Sequence, residues 1–277
     1  MKNSLNSEKI DAHLNGSFLM KHFFKQLLTF GWQQAVSCTF AGVIFLTLAL
    51  TQHFDLNFIP RYDLILLICI LTQALMVCFK FESIDELKVI CVFHVIGLCL
   101  ELYKIYMGSW AYPEDAYTKI GGVPLYSGFM YASVASFACQ AWRRFDIEVS
   151  HWPSRIVTYT LAVVAYLNFF THHYMWDLRW LIIGTLPFIY WKSWITFKVN
   201  QEHYKIPVLM AFFLVAFFIW LAENIATFLG AWKYPSQTQT WHMVDFSKFS
   251  SWFLLFMITI IIVANLKHLK ARLNVKR

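Results

Sequence analysis

The chain has 277 residues, 58% of them hydrophobic, 19% aromatic and only 14% charged. A soluble domain carries about 25% charged residues, so a water-facing surface cannot be built from this supply, and disorder and collagen-like classes are excluded too. The net charge of +7 reads as the basic bias of cytoplasmic loops in a polytopic membrane protein rather than as a nucleic-acid surface, and no nucleic-acid partner is expected.

Residues 1–34 are expected to form a cytoplasmic N-terminus. Within it SFLMKHFFKQLLTF places Phe18, Leu19, Phe23, Leu27 and Leu28 at helical spacing beside Lys21 and Lys25, as in an interfacial amphipathic helix. An early start of the first span is the competing reading. Eight apolar runs follow, at 35–52, 62–79, 87–106, 123–142, 156–172, 178–197, 207–229 and 250–266. Each is about the length that a hydrocarbon core of ~30 Å requires. Pro60, Pro124, Pro153 and Pro207 sit at or near starts of runs, and Pro187 predicts a kink inside the sixth. Cys38, Cys69, Cys78, Cys91, Cys99 and Cys139 lie in apolar runs without a CxxC pair, so they read as buried thiols. With both termini cytoplasmic, only Arg61, Lys104, Lys119, Arg179, Lys233 and Lys248 of the 23 Lys and Arg fall outside. That asymmetry sets the orientation in a plasma (inner) membrane and prefers an even number of spans. Residues 267–277 form a basic cytoplasmic tail.

The chain contains an internal repeat. Glu101 is followed by Gly108-Ser109-Trp110-Ala111-Tyr112-Pro113, and Glu223 by Gly230-Ala231-Trp232-Lys233-Tyr234-Pro235. Both fit E-x6-G-S/A-W-x-Y-P. Thr51-Gln52-His53-Phe54 matches Thr171-His172-His173-Tyr174. Tyr62-Asp63-Leu64 matches Trp176-Asp177-Leu178, and Tyr126-Ser127-Gly128-Phe129 matches Phe249-Ser250-Ser251-Trp252. The expected fold is therefore all-α, eight transmembrane helices as two parallel four-helix repeats, 35–142 and 156–266, joined by the cytoplasmic linker 143–155. Matched motifs of parallel repeats lie near one face, around a pseudo-two-fold axis.

An ionisable group at membrane depth is a functional candidate by default. Glu101, Glu223, Asp63, Asp177 and His173, with His53 and His172, are the candidates for chemistry. Trp110, Tyr112, Trp232, Tyr234, Ser127 and Ser250 are candidates to line a substrate site, with Trp241, Trp252, His242 and Asp245 nearby. Four readings are open: each Glu braces its own loop; a desolvated carboxyl serves acid–base catalysis; the repeat interface binds or transports a solute; or His and carboxylates hold a metal. No HExxH or HxxxH motif supports the metal, which stays undetermined, and no cofactor is expected. P-loop, GxGxxG and GxSxG motifs are absent. Aromatic faces beside the carboxylates could stabilise a carbocation. Lys104, one turn after Glu101, is expected to pair with it, leaving Glu223 as the proton donor. Mid-span His94 reads as a core histidine.

Residues 101–144 and 222–253, with THHYMWDLRW at 171–180, closely resemble the YoaT-like family of bacterial integral membrane proteins, domain of unknown function 817. A more distant resemblance is to membrane carotenoid hydratases and heterodimer-type lycopene cyclases, through Glu101, Gly108, Trp110, Tyr112 and Gly122-Val123-Pro124-Leu125. The cyclases' Pro-x-Glu-Glu motif has only a loose echo in Pro113-Glu114-Asp115. That resemblance implies cofactor-free protonation or hydration of isoprenoid double bonds. The preferred function is an intramembrane enzyme using acid–base chemistry on a lipid or isoprenoid-like substrate. The alternative is a small-solute transporter or binding protein with its site at the repeat interface. The oligomeric state stays open.

Overall fold

The computed structural model describes residues 2–53 and 58–275, with side chains over 19–52 and 58–266. The side chains of Phe18, His53 and the tail lie outside the described residues. The order is α1 (Lys2–Ser37), α2 (Thr39–His53), α3 (Arg61–Cys78), α4 (Ile84–Tyr106), β1 (Lys119–Ile120), β2 (Val123–Pro124), α5 (Ser127–Arg144), β3 (Glu148–Ser150), α6 (Arg155–Thr171), α7 (Arg179–Tyr190), β4 (Trp194–Val199), β5 (Glu202–Pro207), α8 (Val208–Phe228) and α9 (Ser247–Val275).

Local chemistry sets the helix starts. Ser83 caps α4 through its hydroxyl, which accepts from the Glu86 N–H, while Glu86 accepts from the Ser83 N–H at 2.9 Å. Ser154 caps α6 by accepting from Val157, and α3 and α8 begin directly after Pro60 and Pro207. Among the described residues, α3, α4, α8 and Ser247–Leu266 of α9 are long and apolar enough to cross a membrane. Leu19–Ser37 and Thr39–Gln52 form a pair bent by 70°, which allows up to five such spans. The protein is thus a mostly helical membrane protein.

The sixth run departs from expectation. Instead of one helix over 178–197, α7 stops at Tyr190 and the chain turns into a hairpin, β4 against β5. WITFKV alternates in strand fashion, and Asn200, at φ +54°, makes the tight turn that joins the strands. β3, from the predicted linker, pairs with β4 to complete a three-stranded antiparallel sheet. The fold is therefore not purely α. At 12 residues, α7 is only about 18 Å long. Pro187 lies inside it, three residues from its end.

α9 is the central post. Its apolar window is 67% buried, against 28–39% for the other three long helices. α4 and α5 pack closely because Gly97 and Gly128 face each other's helix without a side chain. A Cβ on Gly97 would fall 2.5 Å from the Tyr131 ring, and one on Gly128 would fall 2.8 Å from His94. His94 is half-buried against Phe129, with ring centroids 4.5 Å apart, and its Nδ1 has no hydrogen-bond partner among the described residues. α1 leaves Leu19, Phe23, Leu27 and Leu28 exposed beside its lysines, the pattern of a helix lying in an interface.

Candidate functional site

Glu101 lies five residues before the end of α4 and Glu223 five before the end of α8, and both helices stop in the same way. Seven residues after each Glu stands a glycine in the left-handed region, Gly108 at φ +68° and Gly230 at φ +74°, a conformation that strains other residues. The next N–H reaches back five residues in each, Ser109 to Lys104 and Ala231 to Ala226. The two loops then join through reciprocal hydrogen bonds, Ala111 N–H to Lys233 O and Lys233 N–H to Ala111 O, both 2.9 Å.

Each carboxyl is held by aromatic donors. Glu101 Oε2 accepts from Trp110 Nε1 at 2.7 Å and Tyr112 OH at 2.9 Å, and its Oε1 accepts from Tyr131 OH at 2.8 Å. Glu223 Oε1 accepts from Tyr234 OH at 2.5 Å, and its Oε2 from Trp252 Nε1 at 2.7 Å. Burial, then the neighbouring carboxylate, holds the Tyr112 and Tyr234 phenols well above the ordinary tyrosine range, so both stay protonated donors. The bracing expected of each Glu is therefore present. It does not close the site. A cavity of about 160 Å³ is lined by Glu101 and Glu223 together, with Trp110, Tyr131, Trp232, Tyr234 and Trp252 as aromatic walls.

The cations are not where spacing alone puts them. Lys104 turns away from Glu101. Its Nζ stands 2.9 Å from His173 Nε2 and 3.3 Å from His172 Nε2. His172 Nδ1 lies 3.0 Å from Asn168 O, which places that ring's proton on Nδ1 and leaves Nε2 to accept from Lys104. Lys248 of α9 is the cation within electrostatic reach of Glu223. The grounds for naming Glu223 the donor and Glu101 the ionised partner are thus reversed. Lys248 Nζ also lies 5.3 Å from the Trp110 ring centroid and 4.8 Å from that of Tyr234. The protein's own ammonium occupies two of the ring faces expected to attract a carbocation, those of Trp110 and Tyr234.

Asp63 and Asp177 have other duties. Asp63 accepts from the Tyr117 N–H, the Thr118 N–H and the Thr118 hydroxyl, pinning the loop after Pro113. Asp177 pairs with Arg179 at 2.6 Å and accepts from Asn168 at 3.1 Å. Burial pushes the Asp177 carboxyl up, but these bonds outweigh it and hold the group at about 2. Neither Asp lines the cavity. Ser127 is buried, with its hydroxyl unpartnered among the described residues, and Ser250 accepts from Arg179 at 3.2 Å. Both lie behind the lining, whereas Ser247 and Ser251 reach it. His173 reaches the site through Lys104. Among the described residues no three of His, Cys, Asp and Glu form a cluster that could hold a metal ion.

Burial, then the charge of Lys104, holds His173 below the usual histidine range. A folded state that resists protonation loses stability as pH falls below the unfolded value of ~6.5. The melting temperature should therefore drop as pH falls from 7.5 to 5.5, and Lys104→Met should flatten that drop. An unchanged slope in Lys104→Met would show that this contact does not set it.

Residues 26–260 match the family described as protein of unknown function DUF817. The uncharacterized protein YoaT of Bacillus subtilis (strain 168) is 56% identical over 246 residues, covering 89% of this chain and 93% of that one. Among solved structures, the mycobacterial Insig homologue MvINS of Mycobacterium vanbaalenii aligns over 66% of this chain and 93% of its own, at 12% identity and a TM-score of 0.43. A cross-linked trimer of MvINS aligns equally. With its family match across most of its length and a relative at more than half identity, the chain belongs to the DUF817 family.

Proposed function

We propose that the protein is an intramembrane enzyme of the plasma membrane that uses Glu101 and Glu223 as an acid–base pair on a lipid or isoprenoid-like substrate. The observation that carries this reading is the convergence of two buried carboxyls, from α4 and α8, on one cavity. Aromatic walls flank them, and a positioned carboxyl in such a place can deliver or take a proton. Glu223, with Lys248 in reach, is the ionised member, and Glu101, bonded only by neutral donors, is the acid. A transporter needs a path to both faces. The lining instead stays at one end of the bundle, from Leu100 to Lys104 on α4 and from Ser247 to Leu255 on α9, which favours a closed-ended reaction chamber.

In this reading the chain forms two parallel four-helix halves of eight membrane helices, 35–142 and 156–266, with α7 as a short partner. The identical endings of α4 and α8 and the reciprocal Ala111–Lys233 bonds support the duplication. Both termini, the 143–155 linker and the β4–β5 hairpin are cytoplasmic. Cysteine labelling in a thiol-free variant should reach Ser150→Cys only from the cytoplasmic side; labelling from outside would invert the scheme.

Incubating the purified chain with total membrane lipid in D2O tests the chemistry. An acid–base enzyme delivers solvent deuterium to carbon, so one lipid species should gain mass or change its hydrogen count. A binding or transport protein returns the extract unaltered.

A further inference from the structure

One wall of the same cavity is basic. Lys104, Arg179 and Lys248 face into it with His172 beside them. Lys104 is 6% exposed, and its ammonium is bonded to two imidazoles rather than to an anion. An ammonium has three N–H donors, so one remains after the two imidazoles. Buried charges are ordinarily paired, because an unmatched one pays its desolvation without return. Arg179 is half matched. Its NH2 binds Asp177, and its NH1 donates to Ser251 at 2.9 Å, but its Nε is buried with no partner. Lys248 feels Glu223 and Asp245, yet its Nζ rests over two rings, in contact with neither carboxylate.

We infer that this wall is an anion subsite for the phosphate headgroup of an amphiphile, and so names the substrate class of the enzyme proposed above, on which the inference rests. A phosphate monoester carries about −1.5 to −2 charge near neutral pH, which suits a site where three cations converge. Lys104 supplies a free N–H, and Arg179 and Lys248, which line the same cavity, supply two further charges. Glu101, as the acid, carries no charge, and Lys248 stands within electrostatic reach of the ionised Glu223, so the carboxyls leave Lys104 and Arg179 free to face an anion. Leu100, Phe169 and Leu255 line the same space and offer an apolar face to the chain of the amphiphile. A phosphate source could be a lipid headgroup or free phosphate, and the two differ in whether that apolar face contributes.

The test is equilibrium binding to the purified full chain in neutral detergent, read by the fluorescence of the cavity tryptophans. The probes are dodecyl phosphate, dodecanol and inorganic phosphate. Dodecyl phosphate should bind saturably and dodecanol should not compete. Lys104→Met and Arg179→Gln should each weaken binding roughly tenfold, the loss of about one charge-assisted contact. Lys104→Arg, which keeps the charge, should retain most of it and controls for misfolding. Competition by inorganic phosphate alone would assign the subsite to free phosphate, and its absence would assign it to a lipid headgroup. Equal binding of dodecanol, or unchanged affinity in Lys104→Met, would overturn the subsite. That failure would leave the deuterium experiment untouched, because Glu101 and Glu223 are not varied.

Discussion

Glu101→Gln and Glu223→Gln should each abolish turnover while leaving a folded protein. Gln keeps the volume, and its one carbonyl oxygen can still accept from Trp110 and Tyr112, or from one of Tyr234 and Trp252, but it cannot exchange a proton at neutral pH. A neutral amide also brings its own N–H2 against a donor, so each change should cost ~1–2 kcal/mol of stability, typical of a perturbed buried hydrogen bond. Two groups that act as one unit lose nearly everything with the first change, so the double variant should be no worse in activity than either single one. Lower melting with intact turnover would leave both Glu residues as braces for their loops.

Arg61→Ala should be the most damaging single change to stability. Its guanidinium donates to Leu229 O at 2.6 Å, Leu48 O at 3.1 Å and Thr51 Oγ1 at 3.0 Å, and it pairs with Glu114 at 2.6 Å. It therefore ties the end of α2, the loop after α4 and the end of α8 into one joint. Removing it strands two backbone carbonyls and a carboxylate in a partly buried place. The expected loss is about 2–3 kcal/mol, mostly from the two backbone carbonyls left without their charged donor, because Glu114 is partly exposed and its pairing is screened by solvent. Detergent melting of Arg61→Ala against wild type measures it, and Arg61→Lys should recover only part because an ammonium cannot span the same acceptors. A melting temperature within a degree of wild type would show that the joint is dispensable.

The strongly apolar helices were legible because their signal is composition. Runs 62–79, 87–106 and 207–229 correspond to α3, α4 and α8 within a few residues. The hairpin was not, because WITFKV is as apolar as a helix end and only its alternation distinguishes it. The two Glu and their Trp and Tyr neighbours were legible because they recur at an offset of 122. What the repeat could not reveal are the positions where the halves differ. At an offset of 122 or 123, Lys104 answers to Ala226, Tyr131 to Leu254, Lys248 to Leu125 and Trp252 to Phe129. Lys104, Tyr131 and Lys248, which have no like counterpart, carry Lys104's turn toward the histidines, the third bond to Glu101 and the cation near Glu223, while Trp252, matched only by the non-donor Phe129, carries the second bond to Glu223. Asp63 and Asp177 recur as well, and recurrence suggested chemistry; their bonds to Thr118 and Arg179 give them structural work instead.

In the proposed function the two carboxyls act together on a membrane lipid. The most direct measurement is a comparison of total lipid extracts from a deletion strain complemented with wild type, Glu101→Gln, Glu223→Gln or empty vector. The same lipid species should accumulate in the empty-vector strain and both Gln strains and should be consumed in the wild-type one. Identical extracts from all four strains, or Gln strains indistinguishable from wild type, would contradict it.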